Sequence, residues 1–275
     1  MNKKIIAVIL AVLMAVTCFA LAACNKKDEP AAPTDDAATV KDLDYVKEKG
    51  TLVIGITDFE PMDYQEKGSD EWIGFDADLA KKFAESLGVK AEFNVITWGN
   101  KVMELDGKTI DCVWNGMTIT DEVSAAMSVS NAYCKNAQVV VVKADVADQY
   151  QTAEACKDLK FAVEKGSAGK DAADENGFTY TEVQNQASAL LEVSSGTSDA
   201  AIIDLLMADA MIGEGTSFAG LTYTAKLNSE EYGVGFRKGS DLTAAFNDFY
   251  AAAVADGTVD AIAETYGISA EALIK

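Results

Sequence analysis

The chain has 275 residues, 49% of them hydrophobic, with a formal net charge of −21 and no histidine. A surface this acidic disfavours binding to nucleic acid and to anionic lipid headgroups. The lack of histidine in the sequence removes the commonest general base and the commonest metal ligand, so histidine-based catalytic triads and zinc sites are excluded.

The first 23 residues predict a secretory signal peptide, with Lys3 and Lys4 ahead of an apolar run that ends in small residues. The run stops at LAAC, which is typical of a lipoprotein and predicts that Cys24 carries lipid at the mature N-terminus. The alternatives are a plain signal peptide or a membrane-spanning helix. Residues 24–42 are polar and contain prolines, so we expect a flexible tether between the anchor and the fold.

Strands and helices alternate after the tether. The first part of the pattern predicts strands over 50–57, 89–96 and 109–115 and helices over 74–88 and 98–106. The strand over 137–143 is apolar at nearly every position, as expected when both faces of a sheet are covered. The alternation then restarts and ends in two helical stretches after residue 240. This order predicts two α/β lobes with mostly parallel sheets.

Three cysteines remain besides Cys18 in the signal peptide and Cys24, namely Cys112, Cys134 and Cys156. Because three is an odd number, at least one thiol is free. Cys112 lies in an apolar run and is expected to pack in the core. The sequence leaves open whether Cys134 and Cys156 form a disulfide.

Polar or aromatic residues follow five of the predicted apolar strands. Ligands in open α/β sheets bind beyond the carboxyl ends of the strands, and the cleft between two lobes is the natural place for them. Asp58 has an ordinary alternative as a turn residue and Asp204 as a helix cap, while Phe59 and Trp98 would equally suit a core. Together the five strand ends predict a cleft for a small polar solute. The candidate ligand-binding residues are Asp58, Phe59, Trp98, Asn115, Gly116, Met117, Thr118, Glu164, Gly166, Ser167, Ala168 and Asp204.

The motifs GFDADLA, NGMTIT and YGVGFRKGS, in this order and spacing, resemble those of the extracellular solute-binding proteins of polar amino acid ABC transporters. The resemblance covers residues 43–267. It implies an α/β fold of the type 2 periplasmic-binding-protein kind, with two Rossmann-like lobes joined by a two-stranded hinge that closes on a ligand. Lobe 1 would comprise residues 43–137 plus 234–275, and lobe 2 residues 138–233.

The resemblance implies a monomer that captures a small polar solute, most simply a polar amino acid, and delivers it to an ABC permease. Neither catalysis nor a cofactor is expected, and the lipid on Cys24 would hold the protein at the outer face of the cytoplasmic membrane. The alternatives are a surface sensor, or a lyase or dehydratase on the same fold with Glu164 as general acid or base.

The resemblance also implies roles for the candidate residues. Phe59 and Trp98 match aromatic residues that sandwich the ligand, and Asp204 matches the carboxylate that accepts its ammonium group. The turn with Gly116 and Thr118 matches the part of the family site that binds the ligand's carboxylate. Residues 166–168 match a backbone-amide loop at a helix N-terminus, which is a ready anion site.

The chain departs from the family pattern at Val123, where an arginine usually grips the ligand's α-carboxylate. A carboxylate would then be held by the Thr118 hydroxyl, by local backbone amides or by Lys165. Otherwise the solute carries no carboxylate. Asp58, Glu164 and Asp204 around two aromatic rings would suit such a cationic amine.

Overall fold

The computed structural model describes residues 40–275, so the predicted signal peptide, Cys24 and residues 25–39 lie outside the described range. The fold begins earlier than the predicted end of the tether at residue 42. The Val40 backbone N–H donates to the Gly239 carbonyl at 2.8 Å, and Asp42 is buried at the start of a helix. Residues 40–42 therefore belong to the fold, because they bond to the segment around Gly239 and bury Asp42.

The predicted strands and helices occur in the predicted order, together with further elements that the pattern does not predict. The strands are β1 (Thr51–Ile56), β2 (Tyr64–Gln65), β3 (Trp72–Ile73), β4 (Lys90–Val95), β5 (Cys112–Val113), β6 (Ser128–Val129), β7 (Cys134–Asn136), β8 (Gln138–Lys143), β9 (Lys160–Glu164), β10 (Thr179–Val183), β11 (Ala200–Asp204), β12 (Leu221–Lys226), β13 (Glu230–Tyr232) and β14 (Gly235–Phe236). The helices are α1 (Asp42–Lys49), α2 (Phe75–Leu87), α3 (Lys101–Asp106), α4 (Asp121–Ala126), α5 (Ala168–Asn176), α6 (Gln186–Ser195), α7 (Leu205–Met211), α8 (Leu242–Ala255) and α9 (Thr258–Thr265). In residues 40–275 no helix has both the length and the apolarity to cross a membrane.

Lobe 1 is built on a five-stranded sheet in the order β4-β1-β5-β14-β6. Strand β1 lies parallel to β4 and β5, and β14 returns antiparallel beside β5. Helix α2 covers the sheet because Phe75, Leu79 and Phe83 recur at helical spacing and are fully buried. It stops at Gly88, whose φ of 76° is the left-handed conformation that glycine favours at a helix end.

Lobe 2 is built on a second five-stranded sheet in the order β10-β9-β11-β8-β12. Strand β9 lies parallel to β10 and β11, while β8 runs antiparallel to β11 and β12. The run of valines from Val139 to Val142 is buried in β8, as its continuous apolar pattern predicts.

Two short strands connect the lobes. In this hinge β7 pairs antiparallel with β13, so that Asn136 faces Glu230 and Cys134 faces Tyr232. The expected architecture of two α/β lobes joined by a two-stranded hinge is thus confirmed, while the residue boundaries between the lobes stay a prediction. The expectation of mostly parallel sheets is wrong, because each five-stranded sheet has two parallel and two antiparallel pairs.

The structure differs from the sequence-based expectation at the third strand of lobe 1. That strand is predicted over 109–115, but β5 is only Cys112–Val113. The Asp111 carboxylate accepts from Val53 N at 2.8 Å, and Asn115 turns its side chain toward Thr57. The open cysteine question is also answered, since Cys112, Cys134 and Cys156 are all free and buried.

Candidate functional site

A cavity of ≈ 270 Å³ lies between the two lobes, at the carboxyl ends of their strands. Every predicted site residue except Asp58 lines it. From lobe 1 these are Phe59, Trp98, Asn115, Gly116, Met117 and Thr118, and from lobe 2 Glu164, Gly166, Ser167, Ala168 and Asp204. The structure thus brings together residues that are up to about 145 positions apart, as the strand-end rule requires.

Asp58 does not reach the cavity. Its neighbours Thr57 and Phe59 are buried, whereas Asp58 is exposed. The Phe59 backbone pairs with Asp63 and turns the chain there, so the two flanking side chains point inward and Asp58 points outward. The expectation that Asp58 lines the site is therefore wrong.

Two glycines permit the close approaches that shape the cavity. At Gly116, with φ of 55°, a Cβ atom would lie 2.5 Å from the Phe59 ring. At Gly166, with φ of 71°, it would lie 2.7 Å from the Gly99 Cα atom in the opposite lobe. Larger residues would push the aromatic ring away in the first case and the lobes apart in the second.

Asn115 lines the cavity, but its amide holds the fold together. Its Oδ1 accepts from the Thr57 N–H at 2.9 Å and from the Thr57 hydroxyl at 2.8 Å. Its Nδ2 donates to the Asp63 carboxylate at 2.7 Å. Both ends of the amide are thus committed, and Asn115 fixes the end of β1 next to Phe59.

Asp204 is the best-supported carboxylate of the site. It is 4% exposed, and its side chain makes no helix-capping bond, which removes the alternative of a simple cap. Its Oδ1 accepts from the Tyr232 hydroxyl at 2.6 Å, from Gln138 Nε2 at 3.0 Å and from Asn136 Nδ2. Its Oδ2 accepts from Gln186 Nε2. All of these donors are neutral, so the negative charge of Asp204 has no cationic partner among them.

The electrostatic environment of Asp204 opposes ionisation. Burial, together with the neighbouring carboxylate of Glu230, raises the pKa of Asp204 to about 8. The two acidic groups share donors, because Asn136 and Gln138 also donate to Glu230 Oε1, at 2.7 and 2.9 Å. A cationic group in the cavity would favour the ionised form of Asp204.

In the turn predicted to bind the ligand's carboxylate, the hydrogen-bond donors are already bonded to carboxylates of the protein. The Gly116 N–H donates to Asp76 Oδ2 at 2.7 Å, and the Thr118 hydroxyl donates to Glu230 Oε1 at 3.0 Å. The next hydroxyl, that of Thr120, accepts from the Val123 N–H at 3.1 Å and caps α4, as the Thr-Asp-Glu sequence indicates. Neither donor of this turn is therefore free for a ligand's carboxylate in this arrangement.

The loop after β9 has the predicted geometry of a helix N-terminus. Ser167 caps α5, with its Oγ accepting from the Lys170 N–H at 3.2 Å and donating to the Glu164 carbonyl at 2.8 Å. The cap leaves the first amides of α5, which begins at Ala168, on the cavity side of the helix.

Sequence reasoning chose Lys165 as the nearby cation, but the structure places a different lysine in the cavity. Lys165 is exposed and lies 3.9 Å from Glu182, outside the lining. Lys101 lines the cavity, with its Nζ 2.9 Å from the Gly166 carbonyl and 4.8 Å from the centre of the Trp98 ring. Its position three residues after Trp98 is the spacing of neighbours on a helix, a signal that could have identified it.

Gln186 was also missed, although it follows the end of β10 and the strand-end rule covers that position as well. The further lining residues are Gly99, Val102, Thr120, Glu122, Val123, Ala126, Lys170 and Asp171. Across residues 40–275, no group of three acidic or cysteine side chains is arranged to hold a metal ion.

Residues 52–269 match the family described as bacterial extracellular solute-binding proteins, family 3, and the chain belongs to that family. The L-cystine-binding protein TcyJ of Escherichia coli (strain K12) is 30% identical over 229 residues, which are 82% of this chain and 85% of the relative. The resemblance seen in the motifs is thus confirmed, and the chain is a solute-binding protein of the type 2 periplasmic-binding-protein fold.

Two solved structures show the same architecture. A mutant of ArgBP from T. maritima aligns with a TM-score of 0.76 and 30% identity, covering 82% of this chain and 99% of the other. The ancestral amino acid-binding protein AncCDT-1, a precursor of cyclohexadienyl dehydratase, aligns with a TM-score of 0.75 and 32% identity, covering 82% and 99%.

Proposed function

We propose that this protein is the solute receptor of an ABC importer and that it captures a polar amino acid between its lobes for delivery to the permease. The observation that carries the proposal is Asp204, a buried carboxylate without a cationic partner, in a cavity walled by Phe59 and Trp98. A carboxylate and two aromatic faces suit an ammonium group. The cystine-binding and amino acid-binding relatives support the same class of solute.

Closure of the two lobes on the solute is the expected mode of capture. The contact between Lys101 of lobe 1 and the Gly166 carbonyl of lobe 2 spans the cleft, and Gly99 lies against Gly166 beside it. These contacts supply a way to hold the lobes together around the solute. The hinge strands β7 and β13 are the elements about which such a movement would occur.

Lys101 takes the role that arginine has in the family, as the cation for the solute's carboxylate. No acidic group lies within ion-pair distance of its Nζ among the described residues, and burial lowers the pKa of Lys101. Lys170, the other lysine of the lining, is paired with Asp174 at 2.6 Å. A lysine gives a point charge instead of a planar fork, so recognition of the carboxylate is less demanding in geometry.

Replacing Lys101 by methionine keeps the apolar stem and removes the charge. We expect a loss of amino acid affinity of about tenfold or more, since a hydrogen bond to a charged group contributes about 1.5–3 kcal/mol. The carboxamide analogue of the same amino acid should bind both proteins alike. Isothermal titration calorimetry decides this, and an unchanged affinity for the amino acid would remove Lys101 from the proposal.

An amine without a carboxylate is a second candidate solute, because the donors on Gly116 and Thr118 are engaged within the protein. A thermal-shift screen distinguishes the two classes. The panel contains the twenty amino acids, their carboxamides where these exist, and simple diamines. A ligand at one hundred times its Kd stabilises a protein by about 2.7 kcal/mol, which is readily seen. If amines stabilise the protein and no amino acid does, the amino acid proposal fails.

We expect binding without chemical conversion. The sequence has no histidine, and Glu164, the one residue considered for acid–base work, has no second titratable group hydrogen-bonded to it in the cavity. Incubation of the solute with the protein and chromatography of the mixture should return the solute unchanged. Turnover of the solute would favour the lyase or dehydratase alternative.

The lipid anchor rests on LAAC and Cys24, which lie outside the described residues. Cell fractionation of Cys24→Ala tests it, and the variant is expected to leave the membrane fraction because stable anchoring needs the acyl chains. Retention in the membrane would contradict the anchor. Delivery to a permease is tested separately, by uptake of the identified solute with and without the protein.

A further inference from the structure

Glu164 is the second buried carboxyl group of the cavity, and its environment differs from that of Asp204. It ends β9, is 3% exposed and lines the cavity. Its Oε1 atom is buried and accepts no hydrogen bond from the described residues. Asp204, in contrast, accepts hydrogen bonds from four side chains.

The polar groups next to Glu164 also have other partners. The Thr57 hydroxyl donates to Asn115 Oδ1 at 2.8 Å, and the Gln186 amide donates to the Asp204 carboxylate. Lys101, a cation of the same cavity lining, donates to the Gly166 carbonyl instead of forming an ion pair with Glu164. Glu164 therefore has acceptor capacity that the surrounding protein does not use.

Burial and the charge of Asp204 together raise the pKa of Glu164 to about 8, and Lys101 only partly opposes this. The group is thus held mainly neutral near pH 7, at the edge of ionisation. A cation placed against it would draw it into the ionised form and form charge-assisted hydrogen bonds. The Trp98 ring, which already carries Lys101 on its face, lines the same cavity and favours positive charge.

We propose that Glu164 is a second cation-binding subsite beside Asp204 and that the solute is an α-amino acid whose side chain ends in an ammonium or guanidinium group. This inference rests on the proposed function, and it adds the class of side chain. Asp204 accepts the α-ammonium group, and Glu164 accepts the cation of the side chain. The Glu164 carboxyl group, which lines the cavity, is the group that would bind it.

The test compares charged and neutral amino acids of nearly the same shape by calorimetric titration. The pairs are L-arginine with L-citrulline and L-lysine with L-norleucine. The wild-type protein should prefer the charged member of at least one pair by about tenfold or more, or about 1.4 kcal/mol. Glu164→Gln should reduce that preference to about threefold or less. Glu164→Asp should restore part of it, and Glu175→Gln, on the exposed side of α5, should keep it.

Proton release supplies a second measurement on the same proteins. When the neutral carboxyl of Glu164 ionises against a bound cation, its proton passes to the buffer. At pH 7 the wild-type protein should therefore show a binding heat that depends on the buffer's ionisation enthalpy, and Glu164→Gln should show less. Equal proton release by both proteins would overturn the inference.

The remaining outcomes separate this inference from the proposed function. If the neutral amino acids bind wild-type protein as tightly as the charged ones, the Glu164 subsite is overturned and the amino acid receptor stands. If agmatine and cadaverine bind but no amino acid does, the receptor proposal fails, and a loss of their binding in Glu164→Gln supports the subsite. If none of the six compounds binds, the Glu164 subsite is overturned, and the thermal-shift panel of all twenty amino acids decides whether the receptor proposal stands.

Discussion

The protein buries carboxylates in two regions, which differ in whether the partners of the carboxylates carry a positive charge. At the base of lobe 1 the single arginine, Arg237, lies 2.9 Å from Asp42 and 3.3 Å from Asp111, and Lys49 lies 2.5 Å from Asp111. Between the lobes, the hydrogen-bond donors to Asp204 are amides and a hydroxyl, which carry no charge. In the first region each carboxylate is paired with a cation, whereas in the second the donors to Asp204 are all neutral.

The difference separates a structural cluster from a binding site. A buried carboxylate that already has a cationic partner would lose that partner if it bound a ligand. A buried carboxylate with only neutral donors is held in position and can still accept a cation, to the benefit of both charges. The chain has one arginine, and the structure places it in the cluster that supports the fold, outside the lining of the cavity.

The largest expected effect comes from breaking the complete cluster. Arg237→Met leaves Asp42 buried without a cation and removes the bonds to the Ile110 and Leu105 carbonyls, at 2.8 and 3.2 Å. We expect the free energy of unfolding to fall by about 3–5 kcal/mol, as when one partner of a buried ion pair is removed. Urea unfolding monitored by circular dichroism measures it. A loss below about 1 kcal/mol would mean that the cluster is no more important than a surface pair.

A substitution at Asp204 tests the carboxylate between the lobes. Asp204→Asn keeps the size of the side chain and removes the charge, so it should reduce the affinity for an amino acid by about 1.5–3 kcal/mol. The exposed Asp158, changed to Asn in the same lobe, is the matched control and should bind normally. Titration with the strongest ligand of the thermal-shift screen measures both variants. An unchanged affinity of Asp204→Asn would mean that Asp204 only holds the hinge residues Asn136 and Tyr232 and does not bind the solute.

The pH dependence of stability follows from the buried carboxyl groups whose pKa is raised. Burial raises the pKa of Asp204 and Glu164 to about 8 and that of Asp76 to about 7, against about 4 for carboxyl groups in an unfolded chain. The folded protein therefore binds more protons than the unfolded chain between these values. The stability that these groups contribute is complete below about pH 4 and is lost as the pH rises through 7 to 8.

We accordingly expect the melting temperature of the protein without solute to fall between pH 5 and pH 8.5. Each pKa unit by which the folded and unfolded states differ corresponds to about 1.4 kcal/mol of stability. Each kcal/mol of stability shifts the melting temperature by about 2–4 °C for a chain of this size. Differential scanning calorimetry gives the slope, which Glu164→Gln should make shallower. A melting temperature that rises across this range would contradict the assignment of these groups.

The smallest effect is expected at Lys165, which sequence reasoning placed in the site. Because its ammonium group is exposed and 3.9 Å from Glu182, Lys165→Met should change both solute affinity and stability by no more than about 0.5 kcal/mol. Titration beside Lys101→Met checks this. A tenfold loss of affinity in Lys165→Met would show that this lysine moves into the cleft when solute binds.

Much of the site could be predicted because its residues follow strands, and strand ends can be recognised locally. The apolar runs that form β1, β9 and β11 predict that Phe59, Glu164 and Asp204 meet in a cleft between the lobes, and the structure confirms that they line one cavity. Asp58 was misplaced because the direction of a side chain beyond a strand depends on the turn that follows. That turn is set by the pairing of Phe59 with Asp63, which no local pattern specifies.

The sequence is enough to predict the two α/β lobes and the family, because hydrophobic periodicity and short motifs are local properties of the chain. Which polar groups remain available to a solute depends on long-range contacts in the folded protein. The Thr118 hydroxyl is engaged by Glu230, 112 positions away, and Lys101 meets the Gly166 carbonyl, 65 positions away. Hydrogen-bond partners at such separations depend on how the lobes pack together. The charge of a binding site is therefore a property of the folded protein, even where each of its residues can be found in the sequence.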